Sequence, residues 1–279
     1  MPYRRRVTDS PAIVARLRAA GCVFAEDEAA LLTAAAGSPG ELEAMVAARV
    51  RGLPLEQVIG WAEFRGLRIL VDPGVFVPRR RSEFLVQTAI SLARPGISPS
   101  GQPVIVDLCC GTGALGLATA VALPSAELHA ADLDPAAVAC ARRNVEPAGG
   151  HVYQGGLFAP LPARLRGRVD VLICNAPYVP TGEIAFMPVE ARDHEAPMAL
   201  DGGGDGLAVL RRAAAQAPGW LTPGGTLLVE TSQRQAGPMA EAMTAAGLSA
   251  RAHHDDEMGA TVVTGTAPAA RAPNSWRRA

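Results

Sequence analysis

Asn175-Ala176-Pro177-Tyr178 follows the apolar run Val171-Leu172-Ile173-Cys174, and each of the four has a chemical job available. An amide or aromatic-amine nitrogen is a poor nucleophile because its lone pair is delocalised. Two acceptors on its N–H groups aim that nitrogen at a sulfonium methyl and draw off positive charge as the bond forms. The Asn175 side-chain oxygen and the Ala176 main-chain carbonyl suit that task. Pro177 biases Ala176 towards an extended conformation, which points the carbonyl outward. Tyr178 offers a flat face for stacking on a planar target. No strong general base is required, since the proton can leave after transfer. Asn175, Ala176, Pro177 and Tyr178 are therefore the candidate catalytic residues. The plainer alternative is a turn after a strand, because Asn-x-Pro opens turns. Turn chemistry alone does not explain the aromatic after the proline.

A second candidate precedes this motif. Asp107-Leu108-Cys109-Cys110-Gly111-Thr112-Gly113-Ala114-Leu115-Gly116 follows the apolar residues Val104-Ile105-Val106. Glycines there let the backbone approach a ligand without a Cβ clash, and the next helix presents free N–H groups at its start. Asp132 ends the following apolar run, where a carboxylate can accept both ribose hydroxyls. Taken alone, the loop stays ambiguous. It satisfies the GxGxxG pattern of dinucleotide sites, so a nicotinamide oxidoreductase and a ligand-free structural turn both remain open. Cys109-Cys110 is read as small packing residues, because no resolving or activating partner stands nearby.

The elements that must carry these residues alternate. Residues 104–108, 127–131, 151–154, 169–174 and 226–230 read as strands, and 115–123, 134–144, 206–217 and 235–246 as helices. Asp134-Pro135 looks like an N-cap followed by a proline at the first helical position. Residues 248–253 and 260–264 read as a final hairpin. This order argues for an α/β, doubly wound, mostly parallel sheet, with the motif at a strand's carboxyl end. Residues 13–50 read as helices broken at Gly37-Ser38-Pro39-Gly40. Residues 67–71 and 75–77 are predicted to form a linking β-hairpin over Asp72-Pro73-Gly74. A helix is expected to begin at Arg81 or Ser82. Residues 95–103 read as a linker, and the Ala/Pro/Arg-rich tail from Thr266 as disordered.

Composition narrows the class. The 279 residues are 49% hydrophobic, enough for one large core and a small second module. Formal net charge is -1, which does not favour a nucleic-acid surface. All 26 basic residues are arginine. The five cysteines, Cys22, Cys109, Cys110, Cys140 and Cys174, lack metal-like spacing and read as reduced thiols in a cytoplasmic protein. No apolar run is long enough to span a membrane. No metal is expected.

With these motifs in order, the chain resembles the HemK-type protein-glutamine N5-methyltransferases, which act on peptide-chain release factors. The resemblance covers nearly the whole chain. It rests on Pro54-Leu55-Glu56-Gln57-Val58-Ile59-Gly60, Phe64-Arg65-Gly66, Val77-Pro78-Arg79 with Glu83, the glycine loop and Asp132. It continues through the Asn-x-Pro-Tyr motif, Ala199-Leu200 with Gly203, Asp205-Gly206-Leu207, and Pro223-Gly224-Gly225 on to Glu230. The resemblance implies a Rossmann-like class I core using S-adenosyl-L-methionine over residues 83–265. It also implies an N-terminal helical substrate-recognition domain over 1–60, a β-hairpin linker over 61–82 and a tail over 266–279. Cofactor contacts are expected from Asp107, Cys109, Cys110, Gly111, Thr112, Gly113, Asp132, Leu157 near the adenine, and Asn175. The implied partner is a protein substrate. Methylation of adenine N6 in RNA or DNA is the alternative, and a binding protein that kept the fold is another.

The chain departs from that pattern in places. Ala176-Pro177 stands where the family usually has two prolines, and Gly156 where it has an acidic residue. Pro78-Arg79-Arg80-Arg81-Ser82-Glu83 replaces Pro-Arg-Pro-Glu-Thr-Glu, and Glu195-Ala196-Pro197 replaces a Glu-Pro step. A divergent paralogue is implied. Arg79 to Arg81 are weighed evenly between a surface role and substrate contact. The polar stretch with Glu190, Arg192, Asp193, His194 and Glu195 is either a lid or a charged loop. The run His253-His254-Asp255-Asp256-Glu257 reads as a solvated loop rather than a metal cluster, and Arg4 to Arg6 as a solvated terminus.

Overall fold

The computed structural model describes residues 10–93 and 101–269. Arg4 to Arg6, most of the 95–103 linker and the tail from 270 lie outside them.

The chain opens with helices α1 (Ser10–Ala19), α2 (Ala25–Ala35), α3 (Pro39–Val50) and α4 (Leu55–Ile59). Ser38 caps α3 by accepting the Glu41 N–H, with Pro39 at the first turn. Ile13, Leu17, Ala25, Ala29, Leu32 and Val46 form a core of their own. Beside it, buried Arg49 pairs with buried Glu28 at 2.6 Å.

A two-stranded hairpin follows, β1 (Trp61–Phe64) with β2 (Leu67–Leu70). It lies one strand earlier than the sequence predicted. Arg65 and Gly66 at the turn both have positive φ, 50° and 76°, the geometry that matches strand twist in a tight hairpin. Val75 and Val77 are buried and Phe76 is half-buried, but the three form no strand. The Val75 N–H closes a turn on the Asp72 carbonyl, and side chains rather than a ladder take other polar groups here. Gln57 accepts from the Gly74 N–H and donates to the Val75 carbonyl, and Glu195 accepts the Val77 N–H. Pro73 and Pro78 on either side have no N–H to give.

The core runs α5 (Glu83–Leu92), β3 (Val104–Leu108), α6 (Ala114–Ala122), β4 (Glu127–Asp132), α7 (Pro135–Val145), β5 (His151–Gln154) and β6 (Val169–Cys174). It continues with α8 (Val189–His194), α9 (Ala208–Gln216), β7 (Leu221–Glu230), α10 (Ala236–Ala245), β8 (Ser249–Asp255) and β9 (Ala260–Thr266). The sheet order is β5-β4-β3-β6-β7-β9-β8, with β8 and β9 antiparallel at the edge. Every residue of β3 and β6 is buried, as parallel strands covered on both faces require. Val104, Val106, Leu108, Leu172 and Cys174 face the layer of α9 and α10. Ile105, Val171 and Ile173 face α5, α6 and α7.

The strand order switches side at β3: β4 and β5 lie on one side, β6 and β7 on the other, all parallel. The crevice at such a reversal, beyond the strands' carboxyl ends, is where doubly wound sheets bind ligands.

Two boundaries differ from expectation. His253, His254 and Asp255 belong to β8, and the two imidazoles meet Thr264 and Thr261 across the strands at 3.1 Å. Thr266 is still in β9, and the Ala267 N–H donates to the Gly225 carbonyl. Cross-strand bonding thus carries the hairpin further than its alternating pattern revealed.

Candidate active site

The loop after β3 is shaped by contacts that few residues permit. Gly113 caps α6 in the left-handed region, φ 77°, and a Cβ there would come within 2.6 Å of Val145. Cys109 also has positive φ, 54°. The Gly113 N–H closes on the Cys110 carbonyl, and the Cys110 N–H on the Ala131 carbonyl. Asn144, a residue the sequence did not single out, donates to the carbonyls of Thr112 and Leu70 and accepts the Leu70 N–H. It ties the loop to the hairpin.

Asp107 is buried beneath α6 and accepts the Gly116 N–H at 2.8 Å. Burial pushes its carboxyl up to about 7; that N–H opposes the rise and the nearby Asp132 charge adds to it. Asp132 accepts the N–H groups of Gly111 at 2.8 Å and Asp134 at 2.9 Å. Its carboxyl is also raised by burial, against those same N–H groups. Each carboxylate oxygen keeps a second lone pair for a ligand. Leu157 is buried with φ 49°, beside Gly155 and Gly156. Burial raises the Cys110 thiol, and a hydrogen bond with Cys174 followed by burial raises that of Cys109. These thiols are neutral packing groups, not nucleophiles.

The motif after β6 is held from three directions. The Asn175 amide N–H donates to Ser82 at 3.4 Å, which leaves its side-chain oxygen uncommitted among the described residues. The Tyr178 hydroxyl donates to Glu230 at 2.8 Å and accepts from Arg81 at 2.9 Å. Burial, then the Glu230 charge, pushes that phenol well above its usual range. Arg81 also donates to Glu230 at 3.0 Å. The Tyr178 carbonyl accepts from Gln235 at 2.8 Å, and the same side chain reaches the Asp205 carbonyl. Gly206 passes so near that a Cβ would sit 2.2 Å from the Tyr178 oxygen.

These groups line one cavity of about 230 Å³. Asp107, Cys109, Cys110, Gly111, Thr112, Asp132 and Leu157 are on its wall, with all four residues Asn175 to Tyr178. Gly113 is not: it packs against Val145 behind the loop. Ser82, Arg81 and Arg79 also line the cavity. Ser82, Glu230, Gln235 and Asn144 were not among the site residues expected from sequence. Glu230 alone left a signal, a carboxylate closing the apolar run Leu227-Leu228-Val229.

The polar stretch after the motif is the short helix α8, docked on the N-terminal helices. Glu190 pairs with Arg49 at 2.6 Å, and Gln57 donates to the His194 carbonyl at 3.4 Å. Glu195 is buried and accepts from Arg79 at 2.6 Å.

A glycine loop, an aspartate closing β4 and an Asn-x-Pro-Tyr motif at the switch point accompany a class I methyltransferase fold. The Methyltransferase small domain family matches residues 66–222, more than half of the chain. A release factor glutamine methyltransferase of Streptomyces coelicolor is 40% identical over 193 residues, covering 69% of this chain and 68% of that protein. One from Mycolicibacterium smegmatis is 40% identical over 216 residues, covering 76% and 74%. A methyltransferase structure from Pyrococcus furiosus superposes with a TM-score of 0.54 at 17% identity, covering 74% of this chain and 91% of that one, and shows the shared fold. The chain belongs to the methyltransferase small-domain family and, within it, to the release factor glutamine methyltransferases.

Proposed function

We propose that this chain transfers the methyl group of S-adenosyl-L-methionine to the N5 amide nitrogen of a glutamine in a protein, a peptide-chain release factor being the first candidate. The supporting observation is Asn175. Ser82 accepts one N–H of its amide, and the amide oxygen has no partner among the described residues, in the same cavity as Ala176 and the Asp132 loop.

The residues present fit the cofactor. Asp107, Asp132 and Asp134 line the cavity and suit a molecule of net positive charge. Gly156 has open space where a Cβ would stand, which leaves room for a flat base. Bound there, S-adenosyl-L-methionine supplies an electrophilic methyl on a sulfonium. Residues Cys109 to Thr112 would hold its methionine end, with Gly113 shaping the loop from behind, Asp132 the ribose hydroxyls, and Leu157 the adenine face.

The chain's own residues supply orientation and charge stabilisation. The Asn175 oxygen and the Ala176 carbonyl accept the two N–H groups of the glutamine amide. No N–H among the described residues donates to that Ala176 carbonyl. Both acceptors turn the nitrogen lone pair towards the methyl and stabilise positive charge as it develops. Tyr178, fixed by its hydroxyl, bounds the plane of the acceptor. The proton leaves to water afterwards, so no base of matched pKa is needed. The helices of residues 1–60 would recognise the protein substrate, which would be met in the cytoplasm. No helix among the described residues is long and apolar enough to cross a membrane.

Incubation with labelled cofactor and bacterial release factors, followed by mass-spectrometric mapping, tests this. A methylated glutamine is expected. Its absence from every protein fraction would overturn the proposal.

A further inference from the structure

Tyr178 is anchored at both ends, by different means. Its main chain is fixed by Gln235, which donates to the Tyr178 carbonyl at 2.8 Å, and by the close pass of Gly206. Its hydroxyl is fixed by Arg81 and Glu230. These three side chains come from separate parts of the chain: the turn Arg80–Ser82 that opens α5, the loop after β6, and the end of β7. They close a ring of hydrogen bonds. Tyr178 donates to Glu230 Oε1 at 2.8 Å, Arg81 Nε donates to the same oxygen at 3.0 Å, and Arg81 Nη2 donates to the Tyr178 hydroxyl at 2.9 Å.

The Arg81 side chain is 44% exposed, yet it turns two donors inward. Nε and Nη2 lie in one rigid plane, so the guanidinium sets the separation of the two oxygens it grips. Glu230 is buried, and Arg81 is the only cation paired with it among the described residues. Its second oxygen, Oε2, is buried and takes no hydrogen bond from them, so its hold on Tyr178 runs through Oε1 alone. The next residue, Ser82, accepts the Asn175 amide N–H at 3.4 Å. Two successive residues of one turn thus reach both ends of Asn175 to Tyr178.

We propose that Arg81 is a positioning residue for methyl transfer. It acts through Tyr178: its planar fork places the hydroxyl, and with it the ring, while its charge keeps Glu230 in place as the acceptor for that hydroxyl. This rests on the methyl-transfer reading above and adds the group that holds the ring bounding the plane of the acceptor. Rate depends steeply on such placement, and a displacement of about 1 Å can lower it about a hundredfold. A lysine keeps the charge but, as a point charge, cannot hold two oxygens at a set spacing.

The experiment compares the full chain as wild type, Arg81→Met, Arg81→Lys, Tyr178→Phe and the double variant Arg81→Met with Tyr178→Phe. Methyl transfer is followed on whichever release factor, other protein or RNA the wild type methylates. Calorimetry with S-adenosylhomocysteine and melting temperature are measured beside it. Arg81→Met is expected to lower kcat by about ten- to a hundredfold, with KM and S-adenosylhomocysteine affinity within about threefold. In the Tyr178→Phe background the same substitution should lower kcat by less than about threefold, because the hydroxyl it acts through is gone. Arg81→Lys should recover most of the melting temperature lost in Arg81→Met and little of the kcat. Should Arg81→Met fail to fold, Arg81→Lys carries the test, and a folded lysine variant with wild-type kcat would overturn the inference. An S-adenosylhomocysteine affinity that falls with the rate would put Arg81 on the cofactor, and a loss confined to KM would put it on the acceptor; either result overturns the inference. Additive losses in the double variant would do the same. Any of these, with glutamine methylated, leaves the glutamine reading standing. Methylation of another acceptor, with the Arg81 pattern as expected, would keep the inference and overturn the glutamine reading. No transfer to any acceptor would overturn both.

Discussion

Ser82 accepts one N–H of the Asn175 amide, which orients the group and leaves its single acceptor oxygen without a partner among the described residues. On the proposed reaction, removing that acceptor deletes an interaction that strengthens as the methyl is transferred. Asn175→Ala is expected to lower single-turnover methylation by about a hundredfold, while S-adenosylhomocysteine affinity stays within about threefold. Calorimetry beside rapid-quench kinetics separates the two effects. Asp107 makes a pH prediction. Its folded carboxyl lies at about 7, above the ordinary 3.8, so the empty folded protein holds this proton more tightly than the unfolded chain does. The stability contribution is full below about 3.8 and is lost as pH rises through about 7. Melting temperature of the empty protein should fall over that window, less so in Asp107→Asn, which keeps an acceptor for the Gly116 N–H. A cationic ligand prefers the ionised form, so cofactor affinity should rise across the same window and flatten in the variant.

Among the elements, β3 and β6 were legible because a strand buried on both faces reads as an unbroken apolar run. The glycine loop and the motif were legible because they end those runs. The linking hairpin was misplaced by one strand. Asp72-Pro73-Gly74 carries a stronger turn signature than Arg65-Gly66, and only long-range contacts decide between them. Those contacts come from Gln57 and Glu195, the latter 118 residues from Val77. The site's supports were hidden for the same reason. Ser82 lies 93 residues from Asn175, and Arg81 lies 149 from Glu230. No local spacing encodes such pairs. The start of α6 gives an element-scale prediction. Gly113→Ala places a methyl against Val145 in a backbone region disfavoured for alanine, and should destabilise by about 1–3 kcal/mol in urea titration.

Across the whole molecule, the N-terminal helices and the site share one chain of contacts. Buried Arg49 joins Glu28 in the helical unit to Glu190 on α8, whose end delivers Glu195 to Arg79 at the cavity. Arg49→Met would strand the buried Glu28 carboxylate and free α8. A loss of about 3–5 kcal/mol is expected, with most of it recovered when Glu28→Leu is added. In that double variant, methylation of a whole protein should fall further than S-adenosylhomocysteine binding, because α8 still lacks its anchor. Equal losses would show that the contact serves stability alone.

Gln235 has a kinetic consequence. One side chain holds the Tyr178 carbonyl and the Asp205 carbonyl, so a single amide ties the motif to the loop behind it, alongside the loop's own main-chain bonds. The Val179 and Gly202 N–H groups bond to the carbonyls of Leu200 and Val179 only while that loop is shut. Their deuterium uptake therefore reports how often the loop opens, without any substrate. Gln235→Ala should hasten uptake at these two amides and leave β3 unchanged, turning a static clamp into a measurable opening rate.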